Sequence, residues 1–76
     1  MHPSIKKNLI EKLAELEHSQ WMHWAGGLIQ QGKITEGIAI EWSQFMVPYE
    51  ELDEDAKEID RMWAKRVIDI VEKVIV

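Results

Sequence analysis

The chain contains no cysteine, which excludes disulfide bonds and thiolate metal sites. It also lacks an apolar run long enough to cross a membrane and an N-terminal hydrophobic stretch of the signal-peptide type. Basic residues are in the minority, since nine Lys and Arg stand against fourteen Asp and Glu, for a net charge of −5. Non-specific nucleic-acid binding needs a basic surface that neutralises phosphates. We therefore expect a soluble, cytoplasmic protein that binds neither a membrane nor nucleic acid.

The chain is, in contrast, rich in bulky apolar residues for its length. Its 76 residues leave room for a single domain, 1–76. So short a chain buries a modest fraction of its surface and is marginally stable without further help. Each of the four tryptophans, Trp21, Trp24, Trp42 and Trp63, buries a large area when it is packed. Bulky aromatic side chains or oligomerisation must therefore supply the missing stability.

Helix signals divide the chain into two long helices and a short one. Apolar residues recur at helical spacing over about 4–31, after Ser4 as the predicted N-cap. A short helix follows over roughly 36–45, capped by Thr35, and Asp53 caps a third helix that continues to near the C-terminus. We predict an all-α fold, a compact three-helix arrangement in which two long helices are roughly antiparallel and a short helix crosses them.

The centres of the apolar helix faces predict the core of this arrangement. Helical angles of one hundred degrees per residue place one carboxylate, Glu17, near the middle of the apolar stripe on the first helix. An unpaired carboxylate there would be costly, so Glu17 should find a donor or take up a proton. We favour a structural carboxylate, bound to Arg61, Arg66, the Tyr49 hydroxyl or an indole, over a group that holds a ligand in a pocket. The predicted core residues are Leu13, Trp24, Ile59 and Trp63.

Glu15 and His18 form a Glu-x-x-His pair on one helix face, the spacing found in di-iron and di-manganese bundles. Such a site needs further ligands, which here would have to come from a dimer partner. A small metal-dependent enzyme, built at a dimer interface from Glu15, Glu17 and His18, is therefore one alternative function. The prediction we favour has no catalytic residue, no metal and no cofactor.

Two other features allow a functional interpretation beside a structural one. The segment 50–60 holds seven carboxylates and one lysine, which suits the start of a solvated helix but also an acidic DNA-mimic protein. The aromatic residues could form a cage for a cation or a platform for a base, although core packing explains most of them more simply. Trp21 and Trp42 are the two that could border a cleft.

The C-terminal helix carries more apolar residues than one face can use. Val67, Ile70, Val71 and Val74 suffice for a single face, yet Ile68, Ile75 and Val76 add apolar groups outside it. A second apolar surface in a small domain often indicates a partner, although fraying of the last turn would also expose these side chains harmlessly. We predict a homodimer that uses the C-terminal half of the third helix.

Two stretches carry a family resemblance. The first runs Leu13-Ala14-Glu15, His18 and Trp21, and the second runs 47–52 (Val-Pro-Tyr-Glu-Glu-Leu) with Lys57 and Asp60. In this order they resemble the RyR domain, the repeat of ryanodine receptors, and in particular its small stand-alone bacterial and phage versions. The family's central Gly-Trp-x-Tyr-Gly stretch is not found in this chain.

The resemblance implies a compact helical domain in which the Pro-Tyr segment packs on the Glu-x-x-His-x-x-Trp helix. It also implies a non-enzymatic interaction or ligand-recognition module, with a protein partner or a small nucleotide-like ligand. Carried over residue by residue, it points to a set of polar and aromatic side chains, and the helical angles add Glu17 to this set. The candidate interaction residues are Glu15, Glu17, His18, Trp21, Pro48, Tyr49 and Asp60. We favour the interpretation that these side chains dock the connector on the first helix.

Overall fold

The computed structural model describes residues 1–75, in which all regular structure is helical. Helix α1 spans Pro3–Gln30, α2 spans Glu36–Ser43, a 3-10 turn spans Tyr49–Glu51 and α3 spans Glu54–Ile75. Helices α1 and α3 are antiparallel, because residues near the start of α1 contact the end of α3 and later residues contact its beginning. Lys6 pairs with Glu72, for example, and His18 with Asp60. The predicted fold class is thus confirmed, and none of these helices is long and apolar enough to span a bilayer.

The helix ends follow the capping signals with one exception. Thr35 Oγ1 accepts from the backbone N–H of Ile38 at 3.3 Å, and Asp53 Oδ1 accepts from Ala56 at 2.8 Å, so both predicted caps are confirmed. The prediction that Ser4 caps α1 is wrong. The N-cap is His2, whose Nδ1 accepts from the backbone N–H of Ser4 at 3.1 Å. Proline at position 3 explains the shift, since its fixed φ suits the first helical turn and it has no N–H to satisfy.

Helix α1 ends in a Schellman motif around Gly32. This residue has φ of +66°, the left-handed region in which glycine is favoured. The N–H of Gly32 donates to the carbonyl of Ile29 at 3.1 Å, and the N–H of Lys33 donates to that of Leu28 at 3.0 Å. These two bonds satisfy carbonyls that the helix end would otherwise leave without donors.

The contact between α1 and α3 uses small side chains. Ala14 of α1 and Ala64 of α3 are fully buried, and His18 of α1 and Ile68 of α3 are buried as well. Small residues let two helix axes approach closely, while bulky side chains at the same positions would hold them apart. The interhelical strip is therefore narrow and does not coincide with the stripe of large apolar residues on either helix.

Three of the four predicted core residues are exposed instead. Trp24 is 58% exposed, Ile59 61% and Trp63 47%, and only Leu13 packs at the edge of the buried cluster. The prediction placed the core on the centre of each apolar stripe. This is correct only when other parts of the chain pack across the whole apolar face of each helix. With two long helices and a short connector, each long helix is covered along one strip only. Ile68, which we expected outside the main face, points at α1 and is almost completely buried.

The molecule is flat. Its extents are 46 × 24 × 14 Å and its radius of gyration is 14.8 Å, against about 11 Å for a compact domain of this length. Among residues 1–75 the two long helices, α1 and α3, lie side by side. The long helices thus form a single layer, and the apolar residues that face away from the layer have no second layer to pack on within residues 1–75.

The segment between α2 and α3 supplies most of the remaining core. Tyr49 and Leu52 are buried against Ala14 of α1 and Ala64 of α3. Residues that pack around this cluster come from α1, the connector and α3, and they are Ile10, Leu13, Val47 and Ala56. The expectation that the Pro-Tyr segment lies against the first helix describes this contact, although Pro48 itself is exposed.

Candidate functional site

A cavity of about 380 Å³ opens where α1, the connector and the beginning of α3 meet. Its position follows from the local sequence, because the turn at Asp53 reverses the chain beside the middle of α1. Its lining combines large apolar side chains with carboxylates. The lining residues are His18, Trp21, Phe45, Leu52, Asp53, Asp55, Ala56, Ile59 and Asp60.

His18 forms the floor of this cavity and also holds the connector. Its Nε2 lies 2.7 Å from the carbonyl oxygen of Val47, and its ring stacks on that of Trp21 with 5.9 Å between centroids. Because a carbonyl can only accept, Nε2 carries the proton of this bond. The ring is buried and its orientation is fixed on two sides, so Nδ1 is the nitrogen that remains for other chemistry.

Asp60 faces that second nitrogen. Its Oδ2 lies 3.6 Å from His18 Nδ1, longer than a hydrogen bond but close enough for an ion pair. Burial raises the pKa of the Asp60 carboxyl, the neighbouring His18 lowers it, and the charge of Glu17 raises it again. When the ring is neutral, Nδ1 and the carboxylate are both acceptors, so their contact is attractive only when a proton lies on one of the two. Asp60 is thus a carboxylate at the side of the cavity that has no close hydrogen-bond donor.

Aromatic rings support one wall of the cavity. Trp21 lies edge-on to Trp42, with centroids 5.9 Å apart, and to Phe45 at 6.5 Å. Trp42 also lies 5.8 Å from Trp24. Of the two tryptophans expected to border a cleft, Trp21 lines the cavity, and Trp42 lies behind it and fixes its position.

A second polar cluster lies on the other side of the connector and centres on Glu11. The Tyr49 hydroxyl donates to Glu11 Oε2 at 3.0 Å, and Arg61 donates to both Glu11 oxygens through Nε and Nη2. Arg61 Nη1 also donates to Glu54 at 2.9 Å. The hydrogen bond from Arg61 lowers the pKa of Glu11, while burial, followed by the bond to Glu11, raises the pKa of Tyr49 to about 12.

Glu11 takes the partners that the sequence assigned to Glu17. The side chain of Glu17 is half-buried and makes no hydrogen bond within residues 1–75, and Arg66 stacks on Trp63 at 4.6 Å. The prediction that Arg61 or Tyr49 binds Glu17 is therefore wrong. The reason is the rotation of the contact strip, which brings position 11 rather than 17 to the side of α1 that faces α3. One signal was available in the sequence, because Glu11 lies two helical turns before His18 and so shares its face.

The other predicted residues divide between the cavity and the surface. His18, Trp21 and Asp60 line the cavity together, Tyr49 belongs to the Glu11 cluster, and Glu15 is exposed. The Glu15–His18 pair therefore does not converge, since His18 is directed into the contact with Val47 and Asp60. Within residues 1–75, no three His, Asp or Glu side chains are placed to hold a metal ion.

Comparison with known proteins provides no relative for this chain. No protein-family model matches it, and neither a curated protein nor a solved structure is significantly similar to it.

Proposed function

We propose that this chain is a non-enzymatic interaction module, similar to the stand-alone RyR domains, that works as a homodimer through the C-terminal half of α3. The observation that carries the proposal is a continuous row of exposed apolar side chains, Trp63, Val67, Ile70 and Val74. Their spacing of four, three and four residues puts them on one face of the helix. Soluble monomers rarely leave an apolar row of this length uncovered. We call these four residues the α3 row.

The exposed area of the chain supports a partner of similar size. The accessible surface is 5778 Å², whereas a compact monomer of 8.9 kDa exposes about 4,800 Å². The excess of roughly 1,000 Å² is close to the ~800 Å² that each partner buries in a standard interface. A second copy laid on the α3 row would convert the single layer of helices into a two-layer bundle, which is the usual way for helices to bury an apolar face.

The charge distribution along α3 supports a second copy in the antiparallel orientation. Residues 50–60 hold seven carboxylates and one lysine, while 61–75 hold four Lys and Arg and two carboxylates. In an antiparallel pair, the acidic beginnings of the two α3 helices lie at opposite ends of the contact. A parallel pair would place like charges together, which is unfavourable. The same sequence therefore offers the apolar area for self-association and a charge distribution that favours the antiparallel orientation.

Sedimentation of matched lysine variants tests this proposal. Ile70 in the α3 row and Ile5 on α1 are exposed to nearly the same degree, 63% and 61%. We expect Ile70→Lys to weaken dimerisation by about tenfold or more, since it places a charge in the centre of the apolar contact. Ile5→Lys, which adds the same charge outside the row, should leave the dimer unchanged.

Two results would count against the homodimer. One is a monomeric mass for the wild-type chain at high micromolar concentration. The other is an equal effect of the Ile5→Lys and Ile70→Lys variants on the dissociation constant, because it would show a response to net charge rather than to the α3 row. Circular dichroism of both variants checks that each keeps the helix content of the wild-type chain.

A further inference from the structure

We propose that the cavity beside His18 binds an organic cation, an ammonium or amidinium group attached to a small apolar or aromatic body. The cavity is separate from the α3 row, so this inference does not depend on the homodimer. Its volume of about 380 Å³ lies within the range of small-molecule sites, roughly 300–1,000 Å³. The size suits a ligand larger than an inorganic ion and smaller than a nucleotide.

The apolar part of such a ligand has matching walls. Trp21, Phe45, Leu52 and Ile59 contribute large apolar surfaces from three different segments of the chain. The ring of Trp21 is held on three sides by His18, Trp42 and Phe45, so it does not have to be ordered when a ligand binds. A pre-ordered aromatic wall reduces the entropic cost of binding and can also attract a cation through its π face.

The charge of the cavity determines the sign of the ligand. Asp53, Asp55 and Asp60 line it, and no lysine or arginine does within residues 1–75. Asp53 already uses Oδ1 to cap α3 through the N–H of Ala56, so it contributes mainly its charge. An anionic ligand would be repelled by this lining, and a neutral one would gain nothing from it.

Asp60 is the side chain that would bind the cation directly. Its carboxylate makes no hydrogen bond among residues 1–75, since the neighbouring His18 Nδ1 lies 3.6 Å away, and its side chain is only 16% exposed. Burial raises its pKa because neither water nor a close donor fully stabilises the charge. An ammonium N–H placed in the cavity would supply the missing hydrogen bond, and a charge-assisted bond of this kind is among the stronger ones in proteins.

Titration with three probes that share a phenylethyl group tests the inference on the wild-type chain. The probes are 2-phenylethylamine, which is cationic at neutral pH, the neutral 2-phenylethanol, and the anionic 3-phenylpropionate. Binding is followed through the indole N–H of Trp21 and the ring signals of His18 in NMR spectra at physiological salt. We expect the amine to shift these signals and to bind about tenfold more tightly than the alcohol, with no binding of the acid.

A matched pair of variants assigns the charge preference to one residue. Asp60→Asn should weaken binding of the amine by about tenfold and leave binding of the alcohol unchanged. Asp69→Asn removes the same charge from an exposed position of the same helix and should alter the affinity by less than about twofold, since exposed charges are screened.

Two outcomes would overturn the proposal. One is equal binding of the amine and the alcohol to the wild-type chain, which requires no variant and no assumption about folding. The other is an equal loss of amine affinity in the two asparagine variants, which would show a response to net charge alone. The same titration is then repeated on the Ile70→Lys variant. Cation binding should persist there, so a failure of the cation proposal can be told apart from a failure of the homodimer proposal.

Discussion

Glu11 shows how one side chain can join three segments of a small fold. Its two oxygens accept from Tyr49 of the connector and Arg61 of α3, while the residue itself belongs to α1. Arg61 contacts Glu54 and Glu58 as well, so the cluster also ties the first turn of α3 to its second. Most of these groups are near the surface, where each ion pair contributes little, and the buried Tyr49 hydroxyl is the member whose loss matters most.

Tyr49→Phe measures that contribution and its dependence on pH. At pH 7 we expect the free energy of unfolding to fall by about 1 kcal/mol, the usual value of one hydrogen bond. The pKa of Tyr49 is raised from 10 to about 12, so the folded chain holds the phenolic proton more tightly than the unfolded chain. The stability due to this proton is complete below pH 10 and is lost between pH 10 and about 12, at a cost of up to about 3 kcal/mol.

The comparison between wild-type and Tyr49→Phe chains isolates this effect from other alkaline titrations. Urea unfolding at pH 7, 9 and 11 should show that the free energy of unfolding of the wild-type chain is the larger one at pH 7 and the smaller one at pH 11. The difference shrinks and then reverses because phenylalanine has no proton to lose. A constant difference across this range would mean that Tyr49 ionises equally in the folded and unfolded chains.

The helices were predictable because their end signals are local. Thr35 and Asp53 cap the helices that they were expected to cap, and Gly32 ends α1 through a motif within six residues. The error at Ser4 arose because the proline immediately before it occupies the first helical position and moves the cap back to His2. Helix boundaries depend on neighbours along the chain, and such neighbours are visible in the sequence.

The two glycines inside α1 give a prediction at the scale of the element. A Cβ built at Gly26 meets nothing within 4 Å, and one at Gly27 meets only the side chain of Gln31 at 3.9 Å. Alanine therefore fits at both positions without strain. We expect Gly26→Ala and Gly27→Ala each to raise the free energy of unfolding by about 0.5–1 kcal/mol, because alanine loses less backbone entropy in a helix.

Gly32→Ala is the matched control for these substitutions. Its backbone is in the left-handed region, so alanine there should cost about 1 kcal/mol although there is open space for the side chain. Thermal unfolding should therefore show a higher midpoint for Gly26→Ala and Gly27→Ala and a lower midpoint for Gly32→Ala than for the wild-type chain. A destabilised Gly27→Ala chain would indicate that another molecule packs closely on this position.

At the scale of the whole molecule, the faces of the helices were harder to predict than the helices themselves. Hydrophobic periodicity reports all the apolar surface that a helix buries, in its own chain and in any partner. Trp63 lies at the centre of the stripe on α3, yet the contact within the chain uses Ala64 and Ile68. The assignment of Glu17 to the buried side failed for the same reason, and Glu11 was missed. The cavity at His18, Trp21 and Asp60 lies on residues that the sequence did single out, although its shape depends on the path of the connector.

This difference between the apolar stripe and the contact within the chain is what a second layer would explain, and the orientation of that layer can be measured. If two copies pack antiparallel along the α3 row, the two-fold axis passes between Val67 and Ile70, the middle of the row from Trp63 to Val74. Two Val67 positions then lie only about 5 Å apart along the helix axes, whereas two Val74 positions lie about 17 Å apart. In a parallel pair, both positions would face their own copies.

The absence of native cysteine makes single-cysteine cross-linking direct. We expect Val67→Cys to form a covalent dimer rapidly with a short bismaleimide, and Val74→Cys to do so at least about tenfold more slowly, since the reagent cannot span the larger separation. Equal rates for the two variants would contradict the antiparallel arrangement and would favour a parallel pair. Slow reaction of both, together with a dimeric mass, would mean that the chains associate through a face other than the α3 row.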